Sequence, residues 1–250
     1  MTLLQLEAIS YQKQNKMILQ VDELSLKRGD HIGIIGPNGA GKSTLLNILA
    51  MLEPPTSGTI TFDGMKINPN KIPISLRHRT ASVFQHSQRF DMTVFQNVAL
   101  GLKIKGIAKN EREQRVHEWL TRFRIDHLSN EHAYNLSGGE AQRMNLARAF
   151  ALEPEALFMD EPFSALDAPT KASLMYELKS ILRERDITAI FVSHDLLEIE
   201  AMSEKLAVII DGRIIQKGNV RDVLNAPSDI AAPFLHAWNQ LKQGLDPGVQ

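Results

Sequence analysis

Gly36-Pro37-Asn38-Gly39-Ala40-Gly41-Lys42-Ser43-Thr44 lies between an apolar run, His31-Ile32-Gly33-Ile34-Ile35, and a stretch of helical periodicity from about Lys42 to Met51. It satisfies G-x-x-x-x-G-K-[ST] in the strand–loop–helix setting that gives the pattern its meaning as a phosphate loop. Glycines let a backbone curl around an anion with its N–H groups pointing inward. The start of the following helix adds partial positive charge. On this reading Lys42 reaches the β- and γ-phosphates of a nucleotide, the Ser43 hydroxyl binds Mg²⁺, and Thr44 adds a phosphate contact. A glycine-rich turn without a ligand is the competing reading, and the strand–loop–helix context outweighs it.

Moving outward, Ala156-Leu157-Phe158-Met159 and Ile187 to Val192 are two further strand-sized apolar runs. Between them Leu174, Leu178, Ile181 and Leu182 recur at helical spacing. Strand-then-helix order predicts an α/β fold, a parallel sheet with helices on both faces. Leu4, Leu6 and the run Gly58 to Phe62 read as shorter, half-polar strands. Asp211-Gly212, between Ala207–Ile210 and Arg213–Ile215, is a hairpin turn signal. Residues 91–153 read as an inserted helical subdomain. There Asn110 and Glu113 have the spacing of a capping pair, and Val116, Trp119, Leu120 and Phe123 mark one apolar face. The catalytic core is then expected in residues 1–90 and 154–225, within one domain over residues 1–240. The residues from 226 to 250, with Pro227, Pro233 and Pro247, read as a short helical or loose tail.

Composition narrows the classes. The chain has 250 residues, 43% hydrophobic and 23% charged, ordinary for a globular protein with a sizeable core. A formal net charge of −1 gives no global basic field, so nucleic acid is not an expected partner. The absence of cysteine excludes disulfides and thiol chemistry and suits a reducing compartment. Met1 to Ser10 lack a signal-peptide pattern, and no run approaches the ~20 apolar residues that cross a bilayer. Any membrane role is expected to pass through another chain.

Three further segments carry chemistry. Asp160-Glu161 ends the run Ala156–Met159, and the C-terminal ends of strands form the ligand crevice of open α/β sheets. There Asp160 is expected to hold the Mg²⁺ bound to Ser43, and Glu161 to polarise the attacking water as general base. Taken alone, an Asp-Glu pair is more often a solvated turn. A lone histidine in such a place is more often structural; the alternative for His194, in Ser193-His194-Asp195 after Val192, is a hydrogen bond to the γ-phosphate, with Asp195 capping the next helix. Gln85 closes Ser82-Val83-Phe84-Gln85, within reach of the metal or the water.

Leu136-Ser137-Gly138-Gly139-Glu140 precedes a helix with Met144, Ala147, Phe150 and Ala151 on one face. Ser137 and Glu140 have the S-x-x-E spacing of a capping box. Two glycines weaken a helix start by roughly 1 kcal/mol each, yet they open the backbone to an anion. Two phosphate-binding helix starts with one metal site are reconciled by a symmetric dimer, each nucleotide lying between the loop of one copy and Ser137, Gly138 and Gly139 of the other.

In this order the motifs resemble the ABC (ATP-binding cassette) ATPase family from about residue 3 to 225. Gly36 to Thr44 is similar to its phosphate loop, Leu136 to Glu140 to its signature motif, and Ala156 to Glu161 to its metal-carboxylate strand. Gln85, Ser164-Ala165-Leu166-Asp167 and His194 fall where the family has its glutamine loop, dimer-contacting loop and switch histidine, and Tyr11 where it has an aromatic that stacks on adenine. Position 140 is Glu where many members carry Gln. The resemblance implies a P-loop fold, with a RecA-like parallel core, an antiparallel β subdomain and the helical insert. It also implies ATP and Mg²⁺ as ligands and a head-to-tail homodimer.

Glu161 to Asp167 looks more like importers than exporters, and Phe90 to Leu102 resembles importer subunits for tungstate- and molybdate-like oxyanions. That implies an ATPase at the cytoplasmic face of the membrane, bound to permease subunits and served indirectly by a solute-binding protein. A minimal motor is expected, without the extra C-terminal β-domain found in several sugar and molybdate importer ATPases. Phe90, Met92, Val94 and Phe95 are expected to form the groove that receives a permease helix, with subdomain core as the competing account. Other functional readings are a soluble ABC ATPase acting in cofactor or complex assembly, and an ordinary P-loop kinase or GTPase. The last leaves Leu136 to Glu140 and Glu161 unexplained.

Overall fold

Alternating burial along the N-terminus builds two long strands, β1 (Thr2–Lys13) and β2 (Lys16–Lys27), in antiparallel register with Leu4 opposite Leu26 and Leu6 opposite Leu24. The expectation of short strands at Leu4 and Leu6 is therefore corrected. β1 has a partner on each edge, β2 and β4 (Ser57–Phe62). Bulges near Leu4 and Tyr11 let the ladder bend and continue through polar residues. With β5 (Met65–Ile67) these strands form an antiparallel sheet in the order β2-β1-β4-β5.

The computed structural model describes residues 1–85, 88–164 and 166–236. They fall into two compact units, residues 1–70 with the segment from 190 onward, and residues 71–189. The first unit also holds β3 (His31–Ile35), every residue buried, parallel to β9 (Lys205–Ile210). β9 turns into β10 (Arg213–Asn219) through Asp211 and Gly212, both at positive φ as a tight hairpin requires. Strand β8 (Thr188–Val192), fully buried, starts in the second unit and ends in the first, where the order runs β10-β9-β3-β8. Burial on both faces is why β3 and β8 are unbroken apolar runs. Helix α1 (Lys42–Leu49) follows β3 and ends short of the expected Met51, which takes a positive φ.

In the second unit β6 (Thr80–Val83) runs parallel to β7 (Ala156–Asp160). After the short α2 (Ile74–Arg77), the unit's helices are α3 (Val94–Ile104), α4 (Lys109–Arg122), α5 (Gly138–Phe150) and α6 (Ala168–Glu184). Val116, Trp119, Leu120 and Phe123 are all buried, and the rings of Trp119, Phe123 and Phe150 gather at centroid distances of 5.1 to 6.0 Å. Asn110 does not cap α4. The cap position falls on Ala108, which offers no side-chain acceptor, so Asn110 lies inside the first turn and Glu113 faces Lys109 at 3.8 Å. Leu174, Leu178, Ile181 and Leu182 are the buried stripe of α6.

Helices α7 (Leu196–Met202) and α8 (Val220–Asn225) complete the first unit. Beyond α8, Ala231 and Leu235 are fully buried and joined by a helical hydrogen bond of 3.0 Å. The rest of the expected tail, residues 237–250, lies outside the described residues.

Candidate functional site

The loop between β3 and α1 is shaped by close approach as much as by turn geometry. A Cβ on Gly36 would stand 2.0 Å from the carbonyl oxygen of Ile209, so only glycine lets the chain pass β9 there. Gly39 and Gly41 take left-handed backbone, and no side chain caps α1. The back of the loop is pinned by Gly212, whose N–H donates to Ala40 O at 3.1 Å while its own carbonyl accepts from Gln20 N at 2.7 Å. Lys42 is only 8% exposed, and its ammonium donates to the carbonyls of Gly36 at 2.9 Å and Pro37 at 3.0 Å. The cation is thus held across the loop itself. Pro37, Asn38, Gly39 and Ser43 are exposed, Ala40 is buried, and Thr44 is half-buried. A curled backbone, a spanning lysine and an exposed first-turn hydroxyl are a donor set that fits a polyphosphate.

Within the same unit Ser193 N–H donates to Ile34 O at 3.3 Å, tying the exit of β8 to β3. The Ser193 hydroxyl donates to Glu198 at 2.6 Å and accepts from Asp195 N at 2.9 Å. Asp195 caps α7 by accepting from Leu197 N at 2.9 Å, as its position predicts. His194 is thereby presented from a fixed, exposed corner. Tyr11, on the bulge of β1, donates its hydroxyl to Glu53; that bond, then burial, then the nearby charge raise its pKa.

In the second unit Asp160 ends β7, and Glu161 turns the chain with φ 46°, unusual for a side chain of this size. The structure brings Gln85 to Glu161, amide to carboxylate at 2.9 Å. Ser164 N–H and hydroxyl both return to the Glu161 carbonyl, at 3.2 and 3.0 Å. Asp167 caps α6 through Thr170 N at 3.0 Å, and hydrogen bonds from Thr170 lower its pKa. Ala165 lies outside the described residues.

Ser137 and Glu140 form both arms of the capping box. Ser137 N and Oγ donate to the Glu140 carboxylate at 2.8 and 2.7 Å, and Glu140 N returns to Ser137 Oγ at 3.3 Å. These bonds from Ser137 hold the Glu140 carboxyl below its ordinary pKa. Gly139 has a packing reason too, since a Cβ there would meet Thr170 at 3.3 Å. Met144, Ala147, Phe150 and Ala151 are buried as expected.

The apolar cluster after Gln85 divides. Val94 is fully buried and belongs to the core, and Phe90, 41% exposed, lies under the Arg148 guanidinium at 5.0 Å. Met92 and Phe95 instead line a hollow of about 350 Å³ with Ala99, Leu100, Lys103 and Arg112. Three contributors escaped the sequence reading. Glu198 follows Asp195 at D-x-x-E spacing, a pattern that flags it. Glu53 and Arg89, which donates to Leu136 O at 2.9 Å, carry no local signal because their partners lie 42 and 47 residues away.

A sequence model of the family described as ABC transporter matches residues 19–164. The spermidine/putrescine import ATP-binding protein PotA of Thermotoga maritima is 37% identical over 229 residues, 90% of this chain and 61% of that protein. The molybdate/tungstate import ATP-binding protein WtpC of Pyrococcus horikoshii is 37% identical over 250 residues, 98% of this chain and 70% of that protein. The sulfate/thiosulfate import ATP-binding protein CysA of Pectobacterium atrosepticum is 39% identical over 225 residues, 88% and 67%. The chain thus spans 61 to 70% of the length of these relatives. Among solved structures, cbiO1 of Clostridium perfringens, part of the ABC transporter complex cbiONQ, superposes with a TM-score of 0.82 at 29% identity, over 97% of this chain and 99% of that one. The dimeric cassette MJ0796 bound to ADP and Pi gives 0.78 at 30% identity, over 87% of this chain and 99% of that one.

Proposed function

Because the chain belongs to the ABC transporter family, we propose that it is the ATP-binding and ATP-hydrolysing subunit of an importer, working as two copies against a separate membrane permease. The observation that carries the reading is the Gln85–Glu161 bond at 2.9 Å, which joins the residue opening the 85–95 segment to the carboxylate read as general base. In this role Glu161 takes the proton of the attacking water. Lys42 and the Gly36–Thr44 backbone bind the phosphates, His194 donates to the γ-phosphate, and Tyr11 stacks on the adenine. Ser43, Asp160 and Gln85 would hold Mg²⁺, which would neutralise charge on the phosphates. Among the described residues no group of three or more His, Asp or Glu is gathered for a metal, in keeping with an ion that draws most of its ligands from phosphate and water.

Ser137, Gly138 and Gly139 of the second copy complete each nucleotide site, a use for the capped but glycine-opened start of α5. The hollow lined by Met92, Phe95, Lys103 and Arg112 receives a permease helix. Cargo reaches the permease through a solute-binding protein. Two of the three relatives above are import proteins for oxyanions, and an oxyanion is the cargo class we place first. Among the described residues no helix is long and apolar enough to cross a membrane, so the permease fixes the subunit at the inner face of the cell membrane. Affinity-tagged chain drawn from gently solubilised cells is expected to bring an integral membrane protein with it. Recovery with soluble partners alone would favour an assembly-factor ATPase instead.

A further inference from the structure

We propose that Arg89 is a positioning residue for the second anion site: its guanidinium holds the Leu136 carbonyl and so fixes how Ser137, Gly138 and Gly139 meet a nucleotide carried by a second copy. The inference rests on the shared-site reading above and adds a residue to it. Arg89 Nη1 donates to Leu136 O at 2.9 Å and, at the outer limit of 3.5 Å, to Tyr134 O. Leu136 is buried, and its carbonyl shares a peptide plane with the N–H of Ser137, the cap residue of α5. A planar guanidinium can address two carbonyls from one position, which a lysine ammonium does with less directional control.

Arg89 can position this loop because its own backbone is anchored elsewhere. Asn97, fully buried on α3, accepts from Phe90 N at 3.0 Å and donates to the carbonyls of Phe90, Met92 and Thr93 at 3.2, 3.2 and 3.0 Å. Arg148 of α5 reaches Asn97 Oδ1 at 3.4 Å and covers the Phe90 ring. Beyond Arg89 a seam continues in register: Ala133 N to Met92 O at 3.1 Å, Val94 N to Glu131 O at 2.9 Å, Phe95 N to Ser129 O at 3.0 Å, and the His132–Asp91 contact at 2.9 Å. The segment that lines the hollow is therefore stitched to the stretch leading into Ser137. Arg89 is the side chain that carries this seam on to Leu136.

The test begins with Glu161→Gln in which Arg89 is intact, mixed with Mg-ATP and followed by light scattering. Failure of this protein to dimerise sinks the shared-site reading and the proposal together, before Arg89 is touched. With dimerisation established, Arg89→Leu in that background is expected to need about tenfold more ATP for half-dimerisation. In the Glu161-intact chain it should lower kcat about tenfold with KM little changed, because the lost interaction is made only in the closed state. Nucleotide affinity of the monomer stays within about twofold, since the cradle is untouched, and Arg89→Lys recovers part of the loss. Wild-type kcat and dimerisation in folded Arg89→Leu overturn the proposal, as does a parallel loss of monomer affinity. Should Arg89→Leu fail to fold, Arg89→Met, which keeps an unbranched stem but has no N–H donor, is measured under the same criteria.

Discussion

Lys42 shows how a single side chain can be held ready for the role proposed for it. Its ammonium is nearly buried against two loop carbonyls, and an unpaired cation there would be expensive. Lys42→Ala removes both the cation and its bonds to the loop; turnover is expected to fall by about two or more powers of ten, read as ATPase rate on purified protein. Glu161 makes a second residue-scale case. Its backbone is held at φ 46° and its carboxylate accepts from the Gln85 amide. Glu161→Gln keeps the shape but removes the proton acceptor. Hydrolysis should slow by roughly 10²–10⁴ while ATP binding, followed by equilibrium fluorescence, is retained; unchanged hydrolysis would remove Glu161 as base.

At the scale of elements, two ends of secondary structure bear most of the proposed function. The approach of β9 to the phosphate loop leaves no room for a Cβ at Gly36, so Gly36→Ala must displace backbone. A cost of about 1–3 kcal/mol is expected, visible as a drop of about 2–4 °C in Tm per kcal/mol for a chain of this length. The start of α5 depends on the Glu140 carboxylate. Its folded pKa is depressed by Ser137, so its contribution is present above the unfolded carboxylate pKa and is lost as pH falls through the folded one. Glu140→Gln should therefore be less stable than wild type at neutral pH, with the gap closing in acid. A gap independent of pH would show that charge plays no part in the cap.

For the whole molecule, the proposal requires that nucleotide binding and association be one event. Mg-ATP at 100 times its Kd stabilises a folded protein by about 2.7 kcal/mol if it binds that state alone. A dimer sharing its nucleotides adds a dependence on protein concentration. The midpoint of Glu161→Gln unfolding with Mg-ATP is expected to rise with protein concentration, and without nucleotide to stay constant. Concentration-independent melting in both conditions would count against the shared site.

The glycine loop between β3 and α1, the buried strands and the acidic end of β7 were legible in the sequence because each rests on a local pattern. Glycine spacing, unbroken apolar runs and helical periodicity are imposed by backbone geometry and burial within a few residues. The capping box at Ser137 and the cap at Asp195 belong to the same class, being contacts across two or three positions. Asn110 marks the limit of such patterns: its spacing fits a cap, but the entry of the chain into α4 places Ala108 at that position. What tertiary structure alone decided are contacts between distant segments. The full length of β1 depends on having β2 and β4 on its two edges. Gly36 is forced by a carbonyl of β9, and Val94 is core while Met92 and Phe95 line a hollow. Arg89 finds Leu136 across 47 positions. Such pairings depend on how whole elements pack, and no periodicity in the chain encodes which surfaces will meet.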